Sequence, residues 1–213
     1  MLRILIGDDH PMFRRGTHDV LLEGLSPVYI EEAATGTELL ALVKRQTWDV
    51  CIMDVSMPGK SGTDLLQDIL DIRPSMPVLV FSMHPEKMYA VRMIRGGAKG
   101  YLNKATTTPA SLIEAIRSVT AGRKFLTPSV AECLADTVQM RTASIQTPDQ
   151  LLSNRELQIF EMLVAGKQIK EIAIQLCLSP VTISTYRARI LQKLGFKSNA
   201  DLVRYAVENS LIV

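Results

Sequence analysis

The chain has 213 residues, 47% of them hydrophobic and 22% charged, with a formal net charge of +2. That balance is ordinary for a soluble globular protein of two small domains or one large one, and by itself it says little about nucleic acid. No apolar run approaches the roughly 20 residues that span a bilayer, and Met1-Leu2-Arg3 enters a strand without a signal-peptide layout.

Cys51, Cys133 and Cys177 are widely spaced in apolar contexts, so they describe small core residues, not a disulfide framework or a zinc site. A cytoplasmic protein with no membrane partner is the expectation.

In chain order, the first 121 residues alternate short apolar runs with helical patterns. Strands are expected at Arg3–Gly7, Val28–Ala33, Asp49–Met53, Pro77–Phe81 and Gly100–Asn103. Helices are expected near Met12–Leu22, Thr37–Arg45, Thr63–Ile72, Glu86–Ile94 and Ser111–Thr120. Such βαβ alternation implies a parallel sheet with helices on both faces. Five strands suit the flavodoxin-like order 2-1-3-4-5, whose ligand site lies beyond the C-terminal strand ends.

Chemistry-bearing residues gather at those ends. Val50-Cys51-Ile52-Met53 stops abruptly at Asp54, with Met57-Pro58-Gly59 turning the chain shortly after. Asp8 and Asp9 end the first run, Ser82 the fourth, and Lys104 follows the fifth. Alone, each has an ordinary reading: a capping aspartate, a turn serine, a solvated loop lysine. Together, each has a physical role if the reaction is phosphoryl capture by Asp54.

Three converging carboxylates repel one another and invite a hard divalent cation, Mg2+ or Mn2+, for which Asp8 or Asp9 with Asp54 would supply the carboxylates and the backbone carbonyl of Ser56 a further oxygen. Lys104 supplies a compact positive charge for a phosphoryl oxygen, and Ser82 a hydroxyl donor for another. His10 reads as a solvated loop residue, because a hard-cation site prefers oxygen.

Residues 1–121 therefore resemble the receiver domain of two-component response regulators. The resemblance implies that the acid pair binds Mg2+, that a sensor histidine kinase phosphorylates Asp54, and that Ser82 and Lys104 grip the phosphoryl group. It also implies that Tyr101 is a switch aromatic, entering space left when Ser82 moves; the plain reading is a half-buried strand tyrosine. The sequence departs from the family at Ala105, where many receivers carry proline. A cis peptide there without proline would cost about 2.5–4 kcal/mol.

Gly122-Arg123-Lys124 closes the α/β pattern, and residues 122–148 read as a connector. Thr127-Pro128 resembles an N-cap with proline in the first turn. A helix Ser129–Met140 is expected to follow, with Val130, Leu134 and Val138 in a stripe, and then a linker over Arg141–Asp149.

From residue 149 to 213 the pattern is all-helical. Ser153-Asn154-Arg155-Glu156 is a capping box opening a helix that stops near Gly166. A second helix spans Ile169–Leu176, and a third runs from Ser179-Pro180 to Leu194. A fourth opens at Ser198-Asn199-Ala200-Asp201 and is expected to run through Asn209.

Helices two and three, joined by a short turn, suggest helix-turn-helix. On the third, Ile183, Ile190 and Leu194 share one side. Ser184, Thr185, Ala188, Arg189 and Gln192 point away, as close approach to a major groove requires. Lys170, Thr182, Arg187 and Lys193 complete the expected DNA-binding set. Val203, Ala206 and Val207 on the fourth helix form a candidate dimer surface, although core packing explains the same stripe.

Leu152-Ser153-x-Arg155-Glu156, Gly166-x-x-x-Lys170-Glu171-Ile172-Ala173, Ser179-x-x-Thr182-Ile183 and Lys193-Leu194 resemble the LuxR-type helix-turn-helix of the NarL/FixJ response-regulator subfamily, nearest its GacA/UvrY group. That likeness implies a transcription regulator, homodimeric when phosphorylated, with duplex DNA as partner, RNA polymerase as a further candidate, and no enzyme activity beyond slow self-dephosphorylation. Basic residues common in the family at 184 and 188 are replaced by Ser184 and Ala188, which leaves base preference open. Two alternatives stand beside this reading: a Mg2+-dependent aspartyl-phosphate phosphatase, disfavoured because Val55-Ser56 follows Asp54 without a second acid, and a constitutive DNA-binding protein with a vestigial receiver.

Overall fold

The computed structural model describes residues 1–140 and 151–208, apart from Gly59, Ser61 and Cys177. The expected linker 141–149, the side chain of Val138 and the expected helix end at Asn209 lie outside the described residues. The chain divides into two compact units, Met1–Thr142 and Ala143–Val213.

In the first unit, β1 (Leu2–Gly7), β2 (Val28–Ala33), β3 (Val50–Met53), β4 (Val78–Ser82) and β5 (Gly100–Asn103) form one sheet in the order β2-β1-β3-β4-β5. All four pairings are parallel. Every residue of β3 and β4 is buried, whereas β2 at the edge is mostly half-buried or exposed. Continuous apolar runs belong to strands covered on both faces, and mixed ones to edges.

The covering helices are α1 (Pro11–Gly24), α2 (Gly36–Arg45), α3 (Gly62–Ile72), α4 (Glu86–Arg95) and α5 (Pro109–Thr120). Leu21 of α1 and Leu112, Ala115, Ile116 and Val119 of α5 pack on Ile4, Ile6, Val50, Ile52, Leu79, Phe81 and Leu102. Leu39, Val43, Leu65, Leu66 and Ile69 of α2 and α3 are also fully buried, as are Leu5, Met53, Val78 and Val80, the alternate strand positions. Each such side chain contributes about 1.5–3 kcal/mol. Cys51 belongs to this core, and burial pushes its thiol up to about 12.

Helix α5 begins at Pro109, two residues before the expected start, because Thr108 caps it by accepting from the Ser111 amide at 3.2 Å. Gly36 opens α2 against the loop after β3: its amide donates to Pro58 O at 3.1 Å, and a Cβ there would lie 2.1 Å from Lys60 O. No larger residue fits.

Register brings the site together. Gly7 pairs with Met53, Met53 with Val80, and Ser82 with Asn103. Ladder bonds continue one step past the strands, from Asp54 N to Gly7 O (2.8 Å) and from Lys104 N to Ser82 O (2.9 Å). Asp8, Asp54, Ser82 and Lys104 are thereby held at one edge of the sheet.

The chain after α5 is part of this first unit. Phe125 bridges to Gly100, with its amide donating to Lys99 O at 2.8 Å. Helix α6 (Pro128–Met140) packs on α4 and buries Val130 completely. The segment expected as a connector thus has its helix docked on α4.

The second unit holds α7 (Asn154–Val164), α8 (Ile169–Gln175), α9 (Pro180–Leu194) and α10 (Asn199–Glu208). Its capping box closes as the pattern requires: Ser153 Oγ accepts from Glu156 N at 3.3 Å, and Glu156 Oε2 accepts from Ser153 N at 2.7 Å. Leu157, Phe160, Ile172, Ile183, Ile190, Leu202 and Ala206 make the core. Gly195, at φ 70°, ends α9 in the left-handed conformation that glycine adopts without Cβ penalty.

Candidate functional site

Asp8, Asp54, Ser82 and Lys104 are all buried at the C-terminal strand edge. Lys104 Nζ lies 2.6 Å from Asp8 Oδ2 and 2.6 Å from Asp54 Oδ2. The rings of Phe13 and Phe81 lie 5.1 and 6.0 Å from the same nitrogen, within cation–π range. A buried ammonium is tolerable only with such company. Asp9 stands beside them, and burial raises its carboxyl above the usual range; the neighbouring His10 opposes this, while Asp54 and Asp8 add to it.

The donor set fits a hard cation. Asp8, Asp9, Asp54 and His10 each bring a ligand atom within 4.8 Å of the others. Asp9 Oδ1 is buried yet makes no hydrogen bond; His10 Nδ1 sits 2.7 Å from it, an ion-pair contact without hydrogen-bond geometry. A carboxylate oxygen so placed can serve as a metal ligand, and oxygen-rich surroundings select Mg2+-like ions. His10 is exposed, as expected, but it is not merely solvated: its amide also donates to Asp8 Oδ1 at 2.9 Å.

Tyr101 corrects the plain expectation of a half-buried side chain. It is fully buried, with its hydroxyl donating to the carbonyl of His84 at 2.9 Å. The Lys104–Ala105 peptide is trans, since Ser26–Pro27 is the cis bond found among the described residues.

Sequence reasoning missed His84. Its Nε2 shares a 2.6 Å hydrogen bond with Ser56 Oγ, its ring packs on Tyr89 at 4.4 Å, and its carbonyl also accepts from Asn103 Nδ2 at 3.1 Å. Its amide lies 3.4 Å from Ser82 Oγ. One residue therefore touches the loop after Asp54, the end of β4, β5 and α4. Arg14 was also missed: Nη1 donates to Asp8 O at 2.6 Å and Nε to Glu32 Oε2 at 2.9 Å, tying the acid pair to β2. Nothing in composition or spacing marks either residue, because the contacts from His84 to Ser56 and from Arg14 to Glu32 join segments 28 and 18 residues apart.

In the second unit, Ser184, Thr185, Ala188, Arg189 and Gln192 are exposed on α9, opposite the fully buried Ile183 and Ile190. Lys170 is exposed on α8, and Thr182 is half-buried beside its cap, Ser179. Two expected DNA contacts have other partners. Arg187 Nε donates to Asn199 Oδ1 at 2.6 Å. Lys193 Nζ donates to Glu156 Oε2 at 2.6 Å. Burial acts to raise the Glu156 carboxyl, but the bonds from Lys193 and Ser153 outweigh it and hold the group below its ordinary value. On α10, Ala206 is completely buried against the domain core and is withdrawn from the dimer surface; Val203 is half-buried and Val207 exposed.

A buried lysine thus bridges two strand-end aspartates with a third acid alongside, and the second unit has the element order of a helix-turn-helix module. Residues 4–117 match the response regulator receiver domain, and residues 150–206 match the bacterial regulatory proteins of the luxR family. The chain belongs to the response regulators, as a receiver followed by a LuxR-type DNA-binding domain.

It is 35% identical to the response regulator GacA of Pseudomonas viridiflava, with 100% of this chain and 98% of the relative covered. It is 31% identical to the response regulator UvrY of Escherichia coli K12, with coverages of 99% and 96%. Among solved structures, the Salmonella typhimurium response regulator RcsB matches with a TM-score of 0.59 at 26% identity, covering 98% of this chain and 100% of that one; a structure of an RcsB–DNA complex matches with the same score and identity over 97% and 98%. This chain is accordingly a regulator of transcription under the control of phosphorylation. No described helix is long and apolar enough to cross a membrane.

Proposed function

We propose that Asp54 accepts a phosphoryl group from a sensor histidine kinase and that this controls homodimerisation and binding to duplex DNA. The observation that carries the reading is the pair of 2.6 Å contacts from Lys104 to Asp54 and Asp8 at the C-terminal strand edge. Asp8, Asp9, Asp54 and the carbonyl of Ser56 would hold Mg2+ or Mn2+, which when bound would supply positive charge to offset the negative charge gathered at the site.

A carboxylate oxygen of Asp54 forms the new bond to phosphorus while the donor imidazole departs with the bonding electrons. Lys104 then exchanges its Asp54 contact for a phosphoryl oxygen, and Ser82 donates its hydroxyl proton to a second. The walls around Lys104 limit water at the new acyl phosphate. A phosphatase reading lacks the second acid two residues beyond the nucleophile, where Ser56 stands.

For the second unit, the exposed polar face of α9 supports insertion into a major groove, as in proteins of this architecture. A cytoplasmic location fits both partners. The test is labelling by acetyl phosphate or a kinase: the wild type is expected to label with Mg2+, and Asp54→Asn or excess EDTA to abolish it. Undiminished labelling in either case refutes the assignment.

A further inference from the structure

We infer that α9 recognises A·T base pairs through thymine methyl groups, with Val181 as the specificity-determining side chain. This rests on the reading of α9 as the helix that enters the groove. At 100° per residue, Val181, Thr185, Ala188 and Gln192 fall in one narrow strip, opposite Ile183 and Ile190. Val181 is 75% exposed. It stands at the second position of the helix, in the N-terminal turn that helix-turn-helix docking brings to base edges. An isopropyl group held there is left mostly in water.

The polar groups around it narrow the choice of base. Ser184 Oγ donates its proton to Pro180 O at 2.9 Å, and Thr185 Oγ1 donates to Val181 O at 3.0 Å. Both hydroxyls therefore face outward as acceptors, while Thr185 and Ala188 add methyl groups. Two of the cations are engaged elsewhere, Arg187 with Asn199 and Lys193 with Glu156, and exposed Arg189 lies on the flank of the strip.

An A·T pair offers the complement of this surface, a C5 methyl on thymine beside the N6 amino donor of adenine. Guanine presents only acceptors in the major groove, which would meet the two hydroxyl oxygens without a proton between them. Cytosine offers a donor but no methyl group. The base preference left open by Ser184 and Ala188 is thereby assigned to apolar readout and not to a basic side chain on guanine.

The test uses the full-length protein and a library of random-sequence duplexes, from which bound half-sites are selected. Thymines in the selected half-site are then replaced one at a time by deoxyuracil, which keeps the base pair and removes only the methyl group. At one or two positions the wild type is expected to lose roughly fourfold in affinity, the worth of one buried methyl group. Val181→Ala, at an exposed position, is expected to bind thymine and uracil duplexes almost equally.

Selection of a defined sequence that is indifferent to every uracil replacement overturns the methyl readout while leaving groove binding intact. So does a core of G·C pairs whose recognition depends on Arg189. Binding with no sequence enrichment at all overturns both this inference and the groove reading beneath it.

Discussion

Lys193→Ala separates two roles for a residue on the DNA-facing helix. Lys193 Nζ lies 2.6 Å from Glu156 Oε2, and the Glu156 side chain is 4% exposed against 42% for Lys193. Removing one partner from a fully buried ion pair costs about 3–5 kcal/mol. Here water already reaches the lysine, and Ser153 keeps its two cap bonds to Glu156, so screening reduces the expected cost to about 1–2 kcal/mol.

The pH dependence has a defined sign. Glu156 is held below its ordinary value of 4.5, so its stabilisation is present above about pH 4.5 and is lost as pH falls through the lower, folded value. The penalty for Lys193→Ala should therefore be largest near pH 7 and shrink in acid, where Glu156 is protonated in both proteins. Hydrogen exchange of α7 and α9 amides in the full-length chain reads this directly. A Glu156→Gln, Lys193→Ala double variant should show less than the sum of the two single losses. If α7 protection is unchanged at pH 7 while DNA affinity falls, Lys193 acts only as a phosphate contact and the structural role is wrong.

The receiver supplies two further tests. In EDTA, Asp9→Asn removes one of three mutually repelling carboxylates and should raise the Tm of the first unit by about 2–4 °C, while Mg2+-dependent labelling is abolished; a lowered Tm would show that Asp9 is a structural acid. For the switch, Lys104 gives up its Asp54 contact in gaining a phosphoryl oxygen, so the net gain rests mainly on the charge-assisted hydrogen bond from Ser82, about 1.5–3 kcal/mol. Ser82→Ala should thus still label yet lose most of the phosphorylation-dependent gain in DNA affinity, measured with and without a stable phosphoryl mimic; a gain equal to wild type would exclude transmission through Ser82.

The contrast between Lys193 and Asp54 shows what sequence alone could decide. Strand positions, helix faces and caps follow from local rules: alternation or continuous burial for β1 to β5, a 3.6-residue stripe for the helices, Ser153 with Glu156 at a helix start. Parallel topology follows from the same pattern, and parallel strands align their C-terminal ends. Asp8, Asp54, Ser82 and Lys104 are therefore legible in the sequence as one site, because each sits at the end of a strand.

Side chains that meet across loops carry no such periodic signal. Only the tertiary structure decided that His84 bonds to Ser56 and accepts from Tyr101, that Arg14 holds the Asp8 carbonyl, and that Tyr101 lies fully inside. The same holds for α6. Its apolar stripe is visible in sequence, but α4 as its partner is not. On α10, one stripe served equally for a dimer face or a core face, and packing against α7 buried Ala206 while leaving Val207 in solvent. Local backbone preference and hydrophobic period act over a few residues and can be read along the chain. Which exposed polar group finds which distant partner depends on the closed geometry of the fold, where desolvation makes an unpaired carboxylate or lysine costly.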